Sequence, residues 1–301
     1  MSASPPILTL TGNLLCERTQ DFAAWAPGRT QRAQRESFQV GGKGINVSKM
    51  LHRLGAPTTA LCFLGGATGA EAAAWLQAQP FRHHGFATRT ASRAGLVVRG
   101  GGQPETTFLG PDAAPDAAAV AACAAHLDAQ PAGTILASCG SLPGWATPAF
   151  EPLRAALVRW QQRGVLAADT YGPPLAWFAA QPLALVKINA TELRTLFPDE
   201  STSAAPESLV RAAARRWPAQ RWIVTDGGGP VWFAETRGEP ASLRPPAVTE
   251  VSATGSGDVL FACLLEALFR HGTPLATAVA QALPYAAANA AHAGIAEFPF
   301  P

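Results

Sequence analysis

The sequence predicts an α/β fold in which a mostly parallel central sheet carries helices on both faces. Three observations predict it. Short apolar runs alternate with longer helical patterns along the chain. The short runs are continuous rather than alternating, as in strands covered on both faces. The 301 residues, 48% hydrophobic and 15% charged, suit one large domain over residues 1–301. The same composition excludes intrinsic disorder. A net charge of +2 gives no electrostatic footprint for nucleic acid.

Taken in order, strands are expected at 7–11, 59–64, 134–139, 165–169, 183–188, 221–225 and 231–234, each an apolar run. Helices are expected at 44–54, 69–78, 115–129, 148–163, 206–216, 257–270 and 274–292. Pro115-Asp116, Thr147-Pro148 and Thr273-Pro274 supply first-turn caps. Gly55, Gly164 and Gly272 stand where helices should end. His83-His84 reads as a solvated loop, and 199–207 as a loop inside the core. Two regions break the pattern. Residues 18–40 are polar and arginine-rich, and 93–109 read as a hairpin about Gly100-Gly101-Gly102. Paired, they make a small sheet outside the core, a lid or a candidate oligomer contact.

The apolar stretches 258–269 and 274–293 are interrupted before about 18 residues accumulate, too short for a membrane span. Residues 1–10 lack the pattern of a secretory leader. A cytoplasmic protein is therefore expected. The cysteines (Cys16, Cys62, Cys123, Cys139, Cys263) form no C-x-x-C pair and read as buried apolar residues.

Lysine is scarce, occurring only at Lys43, Lys49 and Lys187. Two of these fall in polar motifs. Gly41-Gly42-Lys43-Gly44-Ile45-Asn46 opens a helix but lacks the Lys-Ser/Thr of a P-loop and the third glycine of a dinucleotide fingerprint, which disfavours an NAD enzyme. A lysine opposes the dipole at a helix start, so a ligand role for Lys43 or Asn46 is expected. Lys187-Ile188-Asn189-Ala190-Thr191-Glu192 follows a strand; it is an Asn cap with a first-turn acid or a polar cluster beside a cation and phosphates. Thr225-Asp226-Gly227-Gly228-Gly229 is a nucleotide-side loop or a tight turn. The most informative stretch is Thr254-Gly255-Ser256-Gly257-Asp258 before an apolar helix. Its glycines let the backbone approach a ligand, and the helix N-terminus favours an anion. Asp258 there is a helix cap or the base that accepts the proton of an attacking hydroxyl; the dipole should keep it ionised and weakly basic.

Together these stretches resemble the PfkB (ribokinase-like) carbohydrate kinase family, most of all its 1-phosphofructokinase and tagatose-6-phosphate kinase branch. The match joins Gly-x-Gly-Asp at 255–258, Gly-Gly-Lys-Gly-x-Asn at 41–46, Asn-x-x-Glu at 189–192 and Gly-Ser-Leu-Pro at 140–143, in the family's order. The resemblance implies a ribokinase-like fold with a β-lid and ATP- and Mg2+-dependent phosphorylation of a hydroxyl on a sugar phosphate. It implies Asp258 as base, with Gly255, Ser256 and Gly257 as anion hole. On the sugar side it implies Asn13, Glu17, Gly41, Gly42, Lys43, Asn46, Arg89 and Ser141, with Arg89 meeting a substrate phosphate. On the nucleotide side it implies Lys187, Thr225, Gly227 and Asn289, and for Mg2+, through water, Asn189 and Glu192. It also makes the lid a candidate homodimer contact. Glu17 stands where the branch has aspartate, and Ala91-Ser92 where an asparagine follows the arginine. A kinase of an unphosphorylated sugar or nucleoside, or a non-catalytic binding relative, are the alternatives.

Overall fold

The computed structural model describes residues 5–200 and 204–301. The chain begins with β1 (Ile7–Thr11), β2 (Leu15–Phe22), β3 (Arg35–Gly41) and α1 (Lys43–Arg53), then β4 (Thr58–Leu64), α2 (Gly66–Gln77) and β5 (Arg82–Ala87). A hairpin of β6 (Arg93–Gly100) and β7 (Gln103–Leu109) leads to α3 (Ala117–Asp128) and β8 (Ile135–Cys139). Next come α4 (Glu151–Trp160), β9 (Val165–Asp169), α5 (Pro173–Ala179), β10 (Leu185–Asn189), α6 (Ala190–Arg194) and α7 (Pro206–Arg216). The last elements are β11 (Arg221–Thr225), β12 (Val231–Glu235), β13 (Ala241–Leu243), α8 (Ser256–Leu265) and α9 (Leu275–Ala290).

Among the described residues the large sheet runs β13-β12-β11-β10-β9-β8-β1-β4-β5. It is parallel from β11 to β5, while β12 and β13 add antiparallel at one edge. Its residues face alternate sides. Leu8, Leu10 and Leu136 pack with Val120 of α3, Leu153 of α4 and Phe178 of α5. Ile7, Ile135 and Ala137 pack with Val47 of α1, Phe261 of α8 and Leu283 of α9. From β1 the chain builds outward to β4 and β5, then crosses back to β8 and builds the other way. That reversal leaves a crevice at the carboxyl ends of β1 and β8.

The second sheet runs β3-β2-β6-β7. Region 18–40 thus supplies two strands rather than one piece. β2 pairs with β6 in parallel, Leu15 against Arg93 to Phe22 against Gly100. Gly100 to Gly102 all have positive φ, which closes the hairpin where side chains rarely fit.

Other expectations shift for identifiable reasons. His83-His84 is not a loop: it lies in β5, where His84 stacks on His126 of α3 at 4.4 Å. An imidazole pair carries no strand signal, and parallel pairing with β4 decides the conformation. The strand expected at 183–188 begins at Leu185, and the helix expected at 69–78 begins at Gly66. The 148–163 helix opens as a 3₁₀ turn, and 257–270 ends in a π turn at Glu266–Arg270. Asp116 caps α3 as expected, but the Thr147 hydroxyl donates to Gly144 O (2.7 Å) instead of capping. α5 and β13 were not anticipated, being only seven and three residues long. The expected 199–207 loop falls partly outside the described residues, and α7 already starts at Pro206. All five cysteines are buried and free. No helix among the described residues is long and apolar enough to cross a membrane.

Candidate active site

Strand ends and two helix starts converge on a cleft of about 960 Å³. At one end lie Lys43 and Asn46 of α1, Lys187 and Asn189 of β10, and the turn Gly255, Ser256, Gly257 and Asp258 entering α8. At the other lie Thr225, Asp226 and Gly227 after β11, walled by Val231, Pro245, Pro246, Leu283 and Ala287. The first group is polar and charged; the second joins an apolar wall to Asp226, Arg244 and Glu250.

The charged end is organised by a residue that sequence reading missed as functional. Asp169, at the tip of β9, is fully buried. Its Oδ1 accepts from Lys43 Nζ (2.6 Å) and its Oδ2 from Lys187 Nζ (2.8 Å). Burial works against its charge, but the two lysines outweigh it and hold the carboxyl below the usual range. Burial likewise opposes the Lys43 ammonium, yet Asp169, Asp258 and Glu192 together keep its pKa above that of ordinary lysine. The two ammoniums differ in freedom: Lys187 is 3% exposed, whereas a quarter of the Lys43 side chain reaches solvent.

Asp258 lies in the first turn of α8, 6% exposed, and its Oδ2 accepts from Asn46 Nδ2 (2.7 Å). Its dominant influence is burial, which raises the pKa; Lys43 lowers it, Asp169 raises it, and the result is about 6. This corrects the expectation of a weak base set by the helix dipole. Desolvation wins, leaving a carboxylate that is ionised at neutral pH but about a hundredfold more basic than a free aspartate.

The turn before it has little room. Gly255 takes φ +78, and a Cβ there would come within 2.4 Å of Ile295 Cγ2. A Cβ on Gly257 would come within 2.6 Å of Lys187 Nζ, so that ammonium lies directly beneath the turn. Gly42, the cap of α1, has φ +122, and a Cβ would meet Thr11 Cγ2 at 2.7 Å. Asn189 and Glu192 form a reciprocal capping box: Asn189 Oδ1 accepts from Glu192 N–H and Glu192 Oε2 from Asn189 N–H, both at 2.8 Å. Glu192 Oε1 stands 3.9 Å from Lys43 Nζ.

The family model for pfkB carbohydrate kinases matches residues 13–301. The chain belongs to this family. Among solved structures, phosphofructokinase-2 from Escherichia coli in complex with fructose-6-phosphate has a TM-score of 0.85 at 22% identity, covering 94% of this chain and 93% of that one. A possible 1-phosphofructokinase from Thermotoga maritima has a TM-score of 0.79 at 19% identity, covering 97% and 94%. Ribokinase from the same organism has 0.74 at 17%, covering 98% and 96%. The fold is shared, with the ribokinase-like sheet and its small second sheet.

Not every residue implied by the PfkB motifs reaches the cleft. Asn13, after β1, donates to Ser141 Oγ (3.1 Å) and to Asp112 Oδ1 (2.7 Å), and Gly41 ends β3 beside Leu15. These lie at the carboxyl ends of β1 and β8, beside the cleft. Glu17 instead runs along β2 and accepts from Gln39 Nε2 on β3 (2.5 Å). Arg89 is 92% exposed and pairs with Asp116 at 3.5 Å, outside the cluster. Arg93 does not line the cleft either, but it is tied to the Asn13 rim: it pairs with Asp112, the acceptor of Asn13, at 3.3 Å, and its Nε is buried without a partner. The two arginines follow similar Thr or Ser neighbours, so local sequence does not separate them. Asn289 is 1% exposed and does not line the cleft; its amide is spent on Thr254, Ser256 and Ala296.

Asp169→Asn removes the anion between the buried Lys187 ammonium and the less enclosed Lys43 ammonium. Leaving a buried charge without its partner costs about 3–5 kcal/mol, so urea unfolding of this variant should show a loss of that order. A loss no larger than that of a surface substitution would show that the lysines find other partners.

Proposed function

We propose that this chain transfers the γ-phosphoryl group of ATP to a hydroxyl of a sugar phosphate of the fructose-1-phosphate or tagatose-6-phosphate type. The observation that carries this reading is Asp258: a buried carboxylate with a pKa of about 6, oriented by Asn46, at the start of a helix beside two lysines. Asp258 accepts the proton of the attacking hydroxyl. The 255–257 backbone, at the positive end of α8 and above the Lys187 ammonium, faces charge that develops on the transferred group. Lys43, less enclosed, can turn from Asp169 to that group. Asn13, Gly41, Gly42 and Ser141 bound the acceptor's side. Arg93 suits the acceptor's own phosphate, being a planar donor fork with a spare buried Nε.

Thr225 and Gly227 with the apolar wall suit a nucleoside. Mg2+ fits the remaining donors. The two ammoniums stand among three carboxylates (Asp169, Asp258, Glu192), and Arg244 is the one further cation lining the cleft among the described residues, too little positive charge for a triphosphate. Glu192 and Asn189 offer oxygen edges but no complete cage, which suits an ion held largely by phosphates and water. Mg2+ supplies charge neutralisation on the phosphates; the residues of this chain supply the base, the anion hole and the alignment. Exposed Phe108 and Leu109 on β7 support a homodimer through the small sheet.

Three outcomes test the reading. ADP release with MgATP, screened across hexose phosphates, free sugars and nucleosides, should be fastest with a hexose phosphate; preference for a free sugar or nucleoside assigns the acceptor differently, and no turnover points to a binding protein. Asp258→Asn should lower kcat by roughly 10²-fold or more, and near-normal turnover would remove Asp258 as base. Because the base must be ionised, kcat should fall below about pH 6. In Asp169→Asn that limb should move to lower pH, since the anion that raises Asp258 is gone; a fixed limb would assign it to another group.

A further inference from the structure

The segment 292–300 returns behind the phosphate-facing turn and is fastened there from two sides. Asn289, in the last turn of α9, donates through Nδ2 to Thr254 O (3.0 Å) and Ser256 Oγ (3.1 Å), and accepts through Oδ1 from Ala296 N–H (2.9 Å). Ile295 lies directly against Gly255, as the 2.4 Å approach to a Cβ there shows. From the other side, Arg53 on α1 donates to Ala296 O (2.7 Å) and Phe298 O (2.6 Å). Its guanidinium also sits over two rings, 5.0 Å from that of Phe298 and 4.3 Å from that of Phe300. One turn earlier, Lys49 pairs with Glu297 at 3.1 Å.

Ala296, held by both sides, has φ +56, and only one other described non-glycine residue has a positive φ. Such a conformation persists where the surroundings over-determine it. The helix that grips the segment is also the one that begins with Lys43 and carries Asn46, the partner of Asp258. The segment therefore joins the two halves of the charged end from behind. The turn itself is glycine-rich, and glycine does not restrain its own backbone. Its shape must come from outside.

We propose that segment 292–300 is a latch that sets the shape of the turn at 254–258, with Arg53 and Asn289 as its positioning residues. Its effect on turnover rests on the kinase reading above; its effect on the turn does not. Neither residue faces the reacting groups. Both act through the backbone that Gly255 and Ser256 present. A misplacement of about 1 Å at such a site can cost on the order of 10²-fold in rate.

The test uses the full chain with Arg53→Ala and Arg53→Lys, read by amide hydrogen exchange and by kinetics with MgATP and the best acceptor of the screen. In Arg53→Ala the amides of 254–259 should exchange about tenfold faster or more, as expected for a locally loosened unit, with those of β1 and β8 unchanged. The kcat should fall on the order of ten- to a hundredfold, with the acceptor KM unchanged, and Arg53→Lys should fall between. Faster exchange confined to 292–300, with the turn as protected as in the wild type, would overturn the latch. If Arg53→Ala does not fold, Arg53→Lys is judged by the same criterion. A turn that loosens in a protein that turns over no acceptor would support the latch and overturn the kinase reading.

Discussion

The charged end of the cleft depends on one carboxylate shared by two ammoniums. Asp169 is fully buried, a position that an isolated carboxylate could hold only at a cost of several kcal/mol. It is tolerable because Lys43 and Lys187 each give it a short hydrogen bond. The pairing brings together the start of α1, the tip of β9 and the length of β10. It holds Lys187 under the turn at Gly257 and leaves Lys43 half free. It also separates two nearby acids. Asp169, with two cations in contact, stays ionised well below neutrality, whereas Asp258, which shares those cations only at longer range, is pushed up by burial. Two carboxylates whose surroundings drive them apart is the arrangement from which acid–base roles arise.

The sheet makes this meeting geometrically simple. Parallel strands β8, β9, β10 and β11 all end on the same side, and β1 ends beside them where the strand order reverses. Each end contributes one polar element: Asn13 after β1, Ser141 after β8, Asp169, Asn189 and Thr225. The small sheet joins this edge, since β3 runs directly into Gly42 and Lys43 and β6 begins at Arg93. Asn13, Ser141, Asp112 and Arg93 then form a hydrogen-bonded rim between the two sheets.

Much of this was legible in the sequence, for local reasons. The parallel strands announced themselves as continuous apolar runs, and the turn at 255–258 as glycines before a helix. The capping box at Asn189 and Glu192 needed only a spacing of three. The scarcity of lysine pointed to Lys43 and Lys187, and the structure adds that Lys49 also has a partner, Glu297. The elements that were missed lacked local signals. Asp169 closes an apolar strand and looked like its polar end. Asn289, which the resemblance had put on the nucleotide side, lies in an alanine-rich helix, where nothing nearby reveals that its amide ties three segments together instead.

The sequence by itself determined the fold class and the glycine-rich character of the turn at 255–258, because hydrophobic periodicity and glycine conformational freedom act over a few neighbouring residues. Only the tertiary structure decided which arginine joins the hydrogen-bonded rim, Arg93 rather than Arg89, since a short offset at a strand end turns a side chain inward or outward. Only the tertiary structure set the basicity of Asp258, because that depends on burial and on charges from α1, β9 and β10, brought within reach by folding alone.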